Sequence, residues 1–532
     1  MSSQLAFSMT ETETSTTKRR VSPLGWLAVL LGAALMGYLI YYNIAHLHEG
    51  HAGGAHHEAP PLWGIGILPF IALLGCIAIL PLLPATHHWW ESNLNRLGVA
   101  LACGGAALVY YFFAEGPQQI LPVLNHAVPA EYVPFIVLLF SLYVISGGIC
   151  LKGDLAAHPS TNTAFLAFGA LIASFIGTTG ASMLLIRPLL QTNSERKHVV
   201  HTVVFFIFLV SNIGGCLLPI GDPPLFLGYL RGVAFFWTFH LVVEWAICCG
   251  VLLVIYFLLD TWFYRREKPR DIRRDETEKR PLRVTGGINI LWLAGIVACV
   301  ATISHEKEFL GTGWTPFPFL REVLMLGFVG ISLLTTPKGA REDNQFNYAA
   351  ILEVAALFIG IFIAMQVPID VLRVYGPNLG LTQPWHFFWA TGSLSSFLDN
   401  APTYVVFFET AASFEETRLP ETVIREPLLV GISLGAVFMG AMTYIGNGPN
   451  FMVKAIAEQS GVRMPSFFGY MFKYSIPMLV PVFVVITMIF LTGGNAAHEP
   501  SAAGGETHAA HVESTSAPAT PAVHDEPAAP GH

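Results

Sequence analysis

Runs of apolar residues about as long as a bilayer is thick recur through nearly the whole of this chain. Hydrophobic residues make up 53% of its 532 residues and charged residues only 12%, so it cannot present an ordinary soluble surface. A helix needs about 20 apolar residues to cross a bilayer, and the sequence predicts about 11 transmembrane helices. They are expected at residues 24–42, 62–83, 97–114, 132–151, 199–218, 235–259, 288–303, 319–334, 349–367, 428–444 and 475–491. The predicted fold class is an all-α polytopic membrane protein.

A further apolar run, residues 385–412, is interrupted at its centre by polar residues and a proline. Asp399, Asn400 and Thr403 lie there together with Pro402. Polar groups inside a membrane segment are costly unless they line a cavity or bind a ligand, and a proline frees backbone groups to face that ligand. The alternative is a kinked helix whose polar residues are satisfied by neighbouring helices.

A second copy of this pattern lies in the apolar run at residues 164–190. Its segment 174–176 (Ser-Phe-Ile) matches segment 396–398 (Ser-Phe-Leu), and Thr178 and Thr179 follow at the centre of the run. A repeated interruption favours a functional role over a chance polar spot.

Each copy is followed by a broken segment. Segment 220–226 reads Ile-Gly-Asp-Pro-Pro-Leu-Phe and segment 445–451 reads Ile-Gly-Asn-Gly-Pro-Asn-Phe, which aligns Asp222 with Asn447. The first of these is preceded by Ser211-Asn212. Interrupted segments in corresponding halves are typical of transporters with internal repeats, whose binding site forms where the breaks meet. The sequence therefore predicts two re-entrant hairpins and two broken helices.

The distribution of basic residues predicts the orientation. Residues 265–283 hold nine of the chain's 28 Lys and Arg residues and should be cytoplasmic, and Lys18-Arg19-Arg20 favours a cytoplasmic N-terminus. With two re-entrant hairpins the two halves have opposite orientations, which is an inverted repeat, and the C-terminus lies outside. The compartment expected is the bacterial inner (cell) membrane.

These expectations divide the chain into seven parts. They are a cytoplasmic polar tail (1–23), an N-terminal anchor helix or signal peptide (24–44), a His-rich outer loop (45–61), the first inverted repeat (62–260), a charged cytoplasmic loop (261–286), the second inverted repeat (287–492) and a disordered His/Pro/Ala-rich outer tail (493–532).

The motifs around Asp399 and Asp222, with the paired threonines and Ser211-Asn212, resemble the ion transporter superfamily. Within it, they are similar to NhaD-type sodium/proton antiporters and to a neighbouring group of putative citrate transporters, over about residues 62–491. The resemblance implies a homodimer with a scaffold domain and a mobile transport domain that contains both hairpins. The dicarboxylate members carry a Ser-Asn-Thr triplet at the hairpin tips, which this sequence lacks.

An intramembrane aspartate could hold either a proton or a sodium ion, and this competition is sufficient for antiport. We expect Asp399 to be the principal shared carboxylate and Asp222 the second, although an Asp before Pro-Pro is also typical of a turn cap. The candidate ion- or substrate-binding residues are Asp399, Asn400, Thr403, Asp222, Thr178, Thr179, Ser211, Asn212 and Asn447, with Asp399, Asn400 and Thr178 as sodium ligands.

Two functions fit these residues. The first is exchange of sodium or lithium for protons by alternating access, and the second is cation-coupled transport of citrate or another organic anion. We expect no enzymatic activity, because the membrane segments carry no paired metal-ligand or nucleophile motif. The expected partners are the lipid bilayer, small ions and a second copy of the chain. No cofactor is expected, and the basic cluster is interleaved with acids, which argues against nucleic-acid binding.

Overall fold

The computed structural model of this protein describes residues 23–45, 59–277, 280–305, 308–414 and 422–492. The predictions for the polar N-terminal tail, most of the His-rich loop and the C-terminal tail therefore lie outside the described residues.

The described residues are mostly helical. Up to the charged loop the helices are α1 (Pro23–Ala45), α2 (Trp63–Gly66), α3 (Leu68–Ile79), α4 (His87–Trp90), α5 (Asn93–Ala114), α6 (Ile120–Asn125), α7 (Val133–Ser146), α8 (Pro159–Ile176), α9 (Thr178–Thr192), α10 (Val200–Leu209), α11 (Pro223–Leu230), α12 (Val242–Tyr264) and α13 (Pro269–Thr277).

After the charged loop the helices are α14 (Ile288–Thr302), α15 (Leu320–Thr335), α16 (Ala340–Asp343), α17 (Ala349–Ala364), α18 (Gln366–Tyr375), α19 (Pro384–Ser395), α20 (Asn400–Ala412), α21 (Glu426–Met439), α22 (Gly448–Gln459), α23 (Phe467–Tyr470) and α24 (Ile476–Ile486). Short 3₁₀ or π segments extend or link several of them, at Pro117–Gln119, His126–Tyr132, Ile213–Leu217, Trp237–Leu241, Phe309–Gly311, Gly376–Leu379, Gly440–Met442, Met471–Ser475 and Thr487–Leu491.

Six helices among the described residues are long and apolar enough to cross a membrane. They are Asn93–Ala114, Pro117–Ser146, Pro159–Ile176, Val200–Leu217, Trp237–Tyr264 and Phe467–Leu491. Shorter apolar helices lie at Trp63–Ile79, Ile288–Thr302 and Glu426–Met442. These helices support a helical polytopic membrane protein, whereas the expected number of about 11 spans remains a prediction.

The span expected at residues 349–367 corresponds to α17, and the chain bends at its end. Ala349–Ala364 and Gln366–Leu379 meet at 42° and count as a seventh span if taken together. Pro368 lies in the first turn of α18 and has no N–H to donate to the preceding turn, which accounts for the bend.

Two short strands, β1 (Cys150–Asp154) and β2 (Arg280–Thr285), pair antiparallel. Residue 151, expected to end a span, is therefore in a strand, and part of the charged loop is ordered against the first half of the chain. The sequence analysis missed this pair because a short strand in a charged segment has no distinctive hydrophobic pattern.

Buried apolar side chains form two main cores. The larger one is built from α8 to α12 and from α19 to α24, so it contains both predicted hairpins and both predicted breaks. The second is built mainly from α1, α3, α5, α7, α14, α15, α17 and α18, with contributions from α11 and α20.

Candidate functional site

Prolines and a glycine start the helices at all four predicted interruptions. Pro402 lies in the first turn of α20, Pro223 and Pro224 open α11, and Pro449 lies in the first turn of α22. Helix-initial amides need no intrahelical acceptor, so proline is tolerated there. Between α8 and α9 the chain turns at Gly177, whose φ of 78° favours glycine. Prolines therefore lie at the start of the new helix at three of the breaks, and Gly177 precedes it at the fourth.

These helix starts bring four side chains together at Asp222. The Asp222 carboxylate is 1% exposed. Its Oδ1 accepts hydrogen bonds from Thr178 Oγ1 at 3.1 Å and from Asn447 Nδ2 at 3.0 Å, and its Oδ2 accepts from Asn400 Nδ2 at 2.6 Å. Three of the four predicted regions thus contribute a neutral donor to a carboxylate from the fourth.

Asn212 lies beside this group. Its Nδ2 donates to Ile207 O at 2.8 Å and to Asn450 Oδ1 at 2.7 Å. The Oδ1 atoms of Asn212 and Asn400 are both buried and have no hydrogen-bond partner in the described part of the chain. Unpaired buried acceptors are uncommon in folded proteins, so these two oxygens are candidate ligands of an ion or another polar partner.

Asp399 occupies a different position from Asp222. It is the N-cap of α20, where its Oδ1 accepts from Ala401 N at 3.0 Å, and its backbone carbonyl accepts from Thr403 Oγ1 at 2.9 Å. The residue is half-buried. Asp399 therefore adjoins the Asp222 group through its neighbour Asn400 and serves as a helix cap.

The remaining predicted residues lie around this centre. The Ser211 carbonyl accepts from Asn447 Nδ2 at 3.2 Å, and its hydroxyl is 2.8 Å from Ser182 Oγ. Thr179 is half-buried in the first turn of α9 and is not among the donors to Asp222. Asp222 is thus contacted by Thr178, Asn400 and Asn447. Next to this group lie Ser211 and Asn212. At its edge lie Asp399, Thr403 and Thr179.

Equivalent contacts hold the hairpins to the breaks in both halves. Ser174 Oγ donates to Gly214 O. Ser396 Oγ, which also reaches Gly392 O of the preceding turn at 2.8 Å, lies 3.2 Å from Met439 O. The two accepting residues lie at the same offset before Asp222 and Asn447. Two glycine pairs also match: Gly221 packs on the carbonyl of Gly215, and Gly446 packs on the carbonyl of Gly440. In both pairs the approach is too close for a side chain on Gly221 or Gly446.

Asn450 and Gly440 belong to the site although the sequence analysis did not select them. Asn450 bonds to Asn212, and a Cβ on Gly440 would lie 2.9 Å from Asn212 Oδ1 and 3.6 Å from Asn400 Nδ2. A signal for Asn450 was present, because it aligns with Leu225 of the first half, and an amide replaces an apolar side chain there.

A network of ion pairs joins the helices of the two cores near the other end of α11. Arg231 contacts Glu131 Oε1 at 2.5 Å and Glu409 Oε1 at 3.2 Å, and Glu409 also contacts Arg373 at 3.4 Å. Gln366 Nε2 donates to Glu131 Oε2 at 3.3 Å. Glu409 is in α20 and Arg373 in α18, so this network links a predicted hairpin to the second core.

A second buried carboxylate, Asp260, lies near the end of α12. Arg196 donates to both its oxygens, at 2.5 and 3.1 Å, and His201 Nε2 is 2.8 Å from Oδ1. Asn162 Nδ2 donates to Oδ2 at 3.3 Å. This carboxylate therefore has a permanent cationic partner.

The family of the chain follows from comparison with known proteins. A family model described as putative citrate transport matches residues 58–491. The chain belongs to the putative citrate transport family. The match confirms the resemblance to the citrate-transporter-like group of the ion transporter superfamily. Together with the apolar helices, it identifies the protein as an integral membrane protein from a family of transporters. A search of curated proteins found no match.

Proposed function

We propose that the protein exchanges sodium or lithium for protons across a membrane, with Asp222 as the shared carboxylate and Asp399 as a supporting one. The observation that carries this proposal is the set of donors on Asp222: a hydroxyl and two amides, all neutral. A buried carboxylate without a fixed cation is costly as an anion, so it favours binding either a proton or a small cation.

Competition at one carboxylate couples the two ions. With Asp222 ionised, Asn400 points its NH₂ group at Oδ2, and its own oxygen is left for a cation. With Asp222 protonated on Oδ2, that oxygen becomes a donor, and the Asn400 amide must turn its oxygen towards it. The proton and the cation then compete for Asp222 and also for the Asn400 oxygen.

We further propose that the two halves form an inverted repeat with two re-entrant hairpins. The matched contacts of Ser174 and Ser396 and the two close glycine pairs support this arrangement. The core that contains both hairpins would be the mobile part and the second core the scaffold. The ion pairs of Arg231 with Glu131 and of Arg373 with Glu409 join the two cores and would then break when the mobile part moves.

The same proposal includes the orientation and the assembly: a cytoplasmic loop at residues 265–283, an outer C-terminus, a homodimer and the bacterial inner membrane. Single cysteines introduced into the loop and into the tail test the orientation with a membrane-impermeant thiol reagent on intact cells. We expect only the tail cysteine to be labelled, and labelling of the loop alone would contradict the inverted repeat.

A carrier of citrate or a similar anion is the second candidate. The family description favours it, and so do the N-termini of α9, α11, α20 and α22, which meet near Asp222 and carry partial positive charge. However, Asp222 already occupies this position, and a second anion beside it would be repelled.

Flux measurements distinguish the two candidates. Purified protein in liposomes with a trapped pH-sensitive dye should dissipate an imposed pH gradient when sodium or lithium is added, and citrate should have no effect. Asp343→Asn is a suitable control, because Asp343 is 44% exposed and pairs with Lys152 outside the site. Citrate-driven flux without a sodium or lithium response would contradict the proposal.

A further inference from the structure

Asn450 has a fixed amide orientation. It is 0% exposed, and its Nδ2 donates to two backbone carbonyls, Gly440 O and Thr443 O, both at 2.9 Å. Carbonyl oxygens only accept hydrogen bonds, so the nitrogen of this amide must face them. The Asn450 oxygen is therefore directed at Asn212.

Asn450 in turn fixes the amide of Asn212. Both hydrogens of Asn212 Nδ2 are engaged, one by Ile207 O and one by Asn450 Oδ1, so turning the amide over would break two hydrogen bonds. Its Oδ1 is consequently held away from both partners. That oxygen is buried without a hydrogen-bond partner among the described residues, which destabilises the fold unless something binds it.

The unpaired oxygen, Asn212 Oδ1, lies beside Gly440, which has no side chain. A Cβ on Gly440 would be 2.9 Å from Asn212 Oδ1, and the Asn400 amide is also next to this point, at 3.6 Å from its Nδ2. Asn400 Oδ1 is the other unpaired amide oxygen of the site. The two unpaired amide oxygens, one from each half of the chain, thus belong to side chains beside Asp222, and that of Asn212 faces the Gly440 position.

We propose that Asn450 is a positioning residue that holds Asn212 Oδ1 in place as a ligand of the transported cation, and that Gly440 leaves the space this ligand needs. The inference rests on the proposed cation/proton exchange. Oxygen donors of amides and carboxylates suit a small hard cation such as sodium or lithium. Asn450 acts through Asn212, because its own polar atoms are all engaged with the protein.

The test compares sodium KM with maximal exchange rate in liposomes for substitutions of Asn450. Asn450→Leu reproduces the residue at the matching position of the first half and removes the acceptor, so the Asn212 amide can turn. We expect the sodium KM to rise about tenfold and the maximal rate to change by less than about twofold. Asn450→Gln keeps both an NH₂ group for the two carbonyls and an acceptor for Asn212, and its KM should rise less than that of Asn450→Leu.

Gly440→Ala tests the same space from the other side and does not depend on the folding of the Asn450 variants. Its added methyl group should raise the sodium KM at least as much as Asn450→Leu does. Gly448→Ala is the matched control, because a Cβ there meets nothing within 4 Å, and it should leave KM unchanged. Thermal unfolding in detergent with and without sodium gives a second readout, in which Asn450→Leu and Gly440→Ala should lose the sodium-dependent increase in Tm.

The outcomes separate this inference from the proposed function. If the unaltered protein exchanges sodium for protons and both Asn450→Leu and Gly440→Ala keep its sodium KM, Asn450 only anchors α22 and the inference is wrong. If the unaltered protein shows no sodium- or lithium-driven flux, the proposed function fails and this inference with it.

Discussion

Asp222 and Asp260 are both almost completely buried, with 1% and 0% of their surface exposed, but their partners differ in charge. Asp260 pairs with the Arg196 guanidinium and with His201, whereas Asp222 accepts hydrogen bonds from a hydroxyl and two amides. The Arg196 guanidinium, a fixed cation, balances the charge of Asp260 permanently. Asp222 has no cationic partner among the described residues, which agrees with the proposal that a transported ion balances its charge.

The two carboxylates also differ in which parts of the chain they join. The partners of Asp260, namely Asn162, Arg196 and His201, all precede it within the first half. Asp222 bonds to Thr178 of its own half and to Asn400 and Asn447 of the other half. The hydrogen bonds of Asp260 therefore lie within one half, while those of Asp222 join the two halves.

Neutralising Asp222 should have the largest effect on transport. Asp222→Asn removes the charge and the exchangeable proton, so we expect sodium-driven proton flux to fall by more than about 100-fold, which corresponds to about 2.7 kcal/mol. The new NH₂ group at the Oδ2 position can donate to Asn400 once that amide turns its oxygen towards it, so we expect the Tm to change little. Flux in liposomes and thermal unfolding in detergent measure the two effects. Near-native sodium flux in this variant would remove the distinction between the two carboxylates.

Neutralising Asp260 should instead reduce stability. Asp260→Asn leaves the buried Arg196 without its counter-ion, and breaking a buried pair in this way costs about 3–5 kcal/mol. We expect a lower Tm in detergent but unchanged sodium flux per folded molecule. The double variant Asp260→Asn with Arg196→Met should recover part of the lost stability, because no unpaired charge remains. A folded Asp260→Asn protein that had lost exchange would show that Asp260 takes part in transport.

Asp399 offers an intermediate case, because its side chain caps a helix next to the site. Asparagine is as good an N-cap as aspartate, so Asp399→Asn should cost little stability. We expect a loss of sodium flux of about tenfold, smaller than the loss for Asp222→Asn, since Asp399 acts on the site through its charge rather than by direct contact. Measuring both variants in one preparation ranks them. A larger loss in Asp399→Asn would restore it as the principal carboxylate.

The positions of the breaks were predictable from the sequence, but the set of side chains that contact each carboxylate was not. Asp399 and Asp222 stand out because carboxylates, prolines and glycines rarely interrupt apolar runs. Which of the two carboxylates we propose as the shared one depends on the side chains that contact it from distant parts of the chain. Asn400 donates to Asp222 across 178 residues and Asn447 across 225, and no local pattern reports such contacts.

Chain geometry explains why parts of the fold were missed. Helix lengths followed from apolar runs, because hydrogen bonds within a helix are local. The pairing of β1 with β2 and the bend before Pro368 depend on tertiary contacts and on a single proline. Asn450 was missed for a related reason. Its role lies in the bond to Asn212, and by sequence it is one polar residue near the start of a helix.

Asp275 extends the comparison to a carboxylate in the charged loop, outside the membrane-spanning segments, and should give the smallest effect. It is buried, and its Oδ2 accepts from Ala157 N at 2.9 Å. Burial raises the pKa of Asp275 above the usual 3.8, against the lowering effect of that bond; Glu195 and Asp154 also raise it, and His158 lowers it. Because the folded state then binds the proton more tightly than the unfolded state, the contribution of this group to stability is full below the unfolded pKa and is lost as pH rises through the folded pKa.

Asp275→Asn keeps an acceptor for Ala157 but cannot titrate, so the Tm of the variant should fall less than that of the unaltered protein between about pH 4 and pH 7. Identical profiles of Tm against pH in the two proteins would contradict this prediction. They would mean that water fully screens the charge of Asp275.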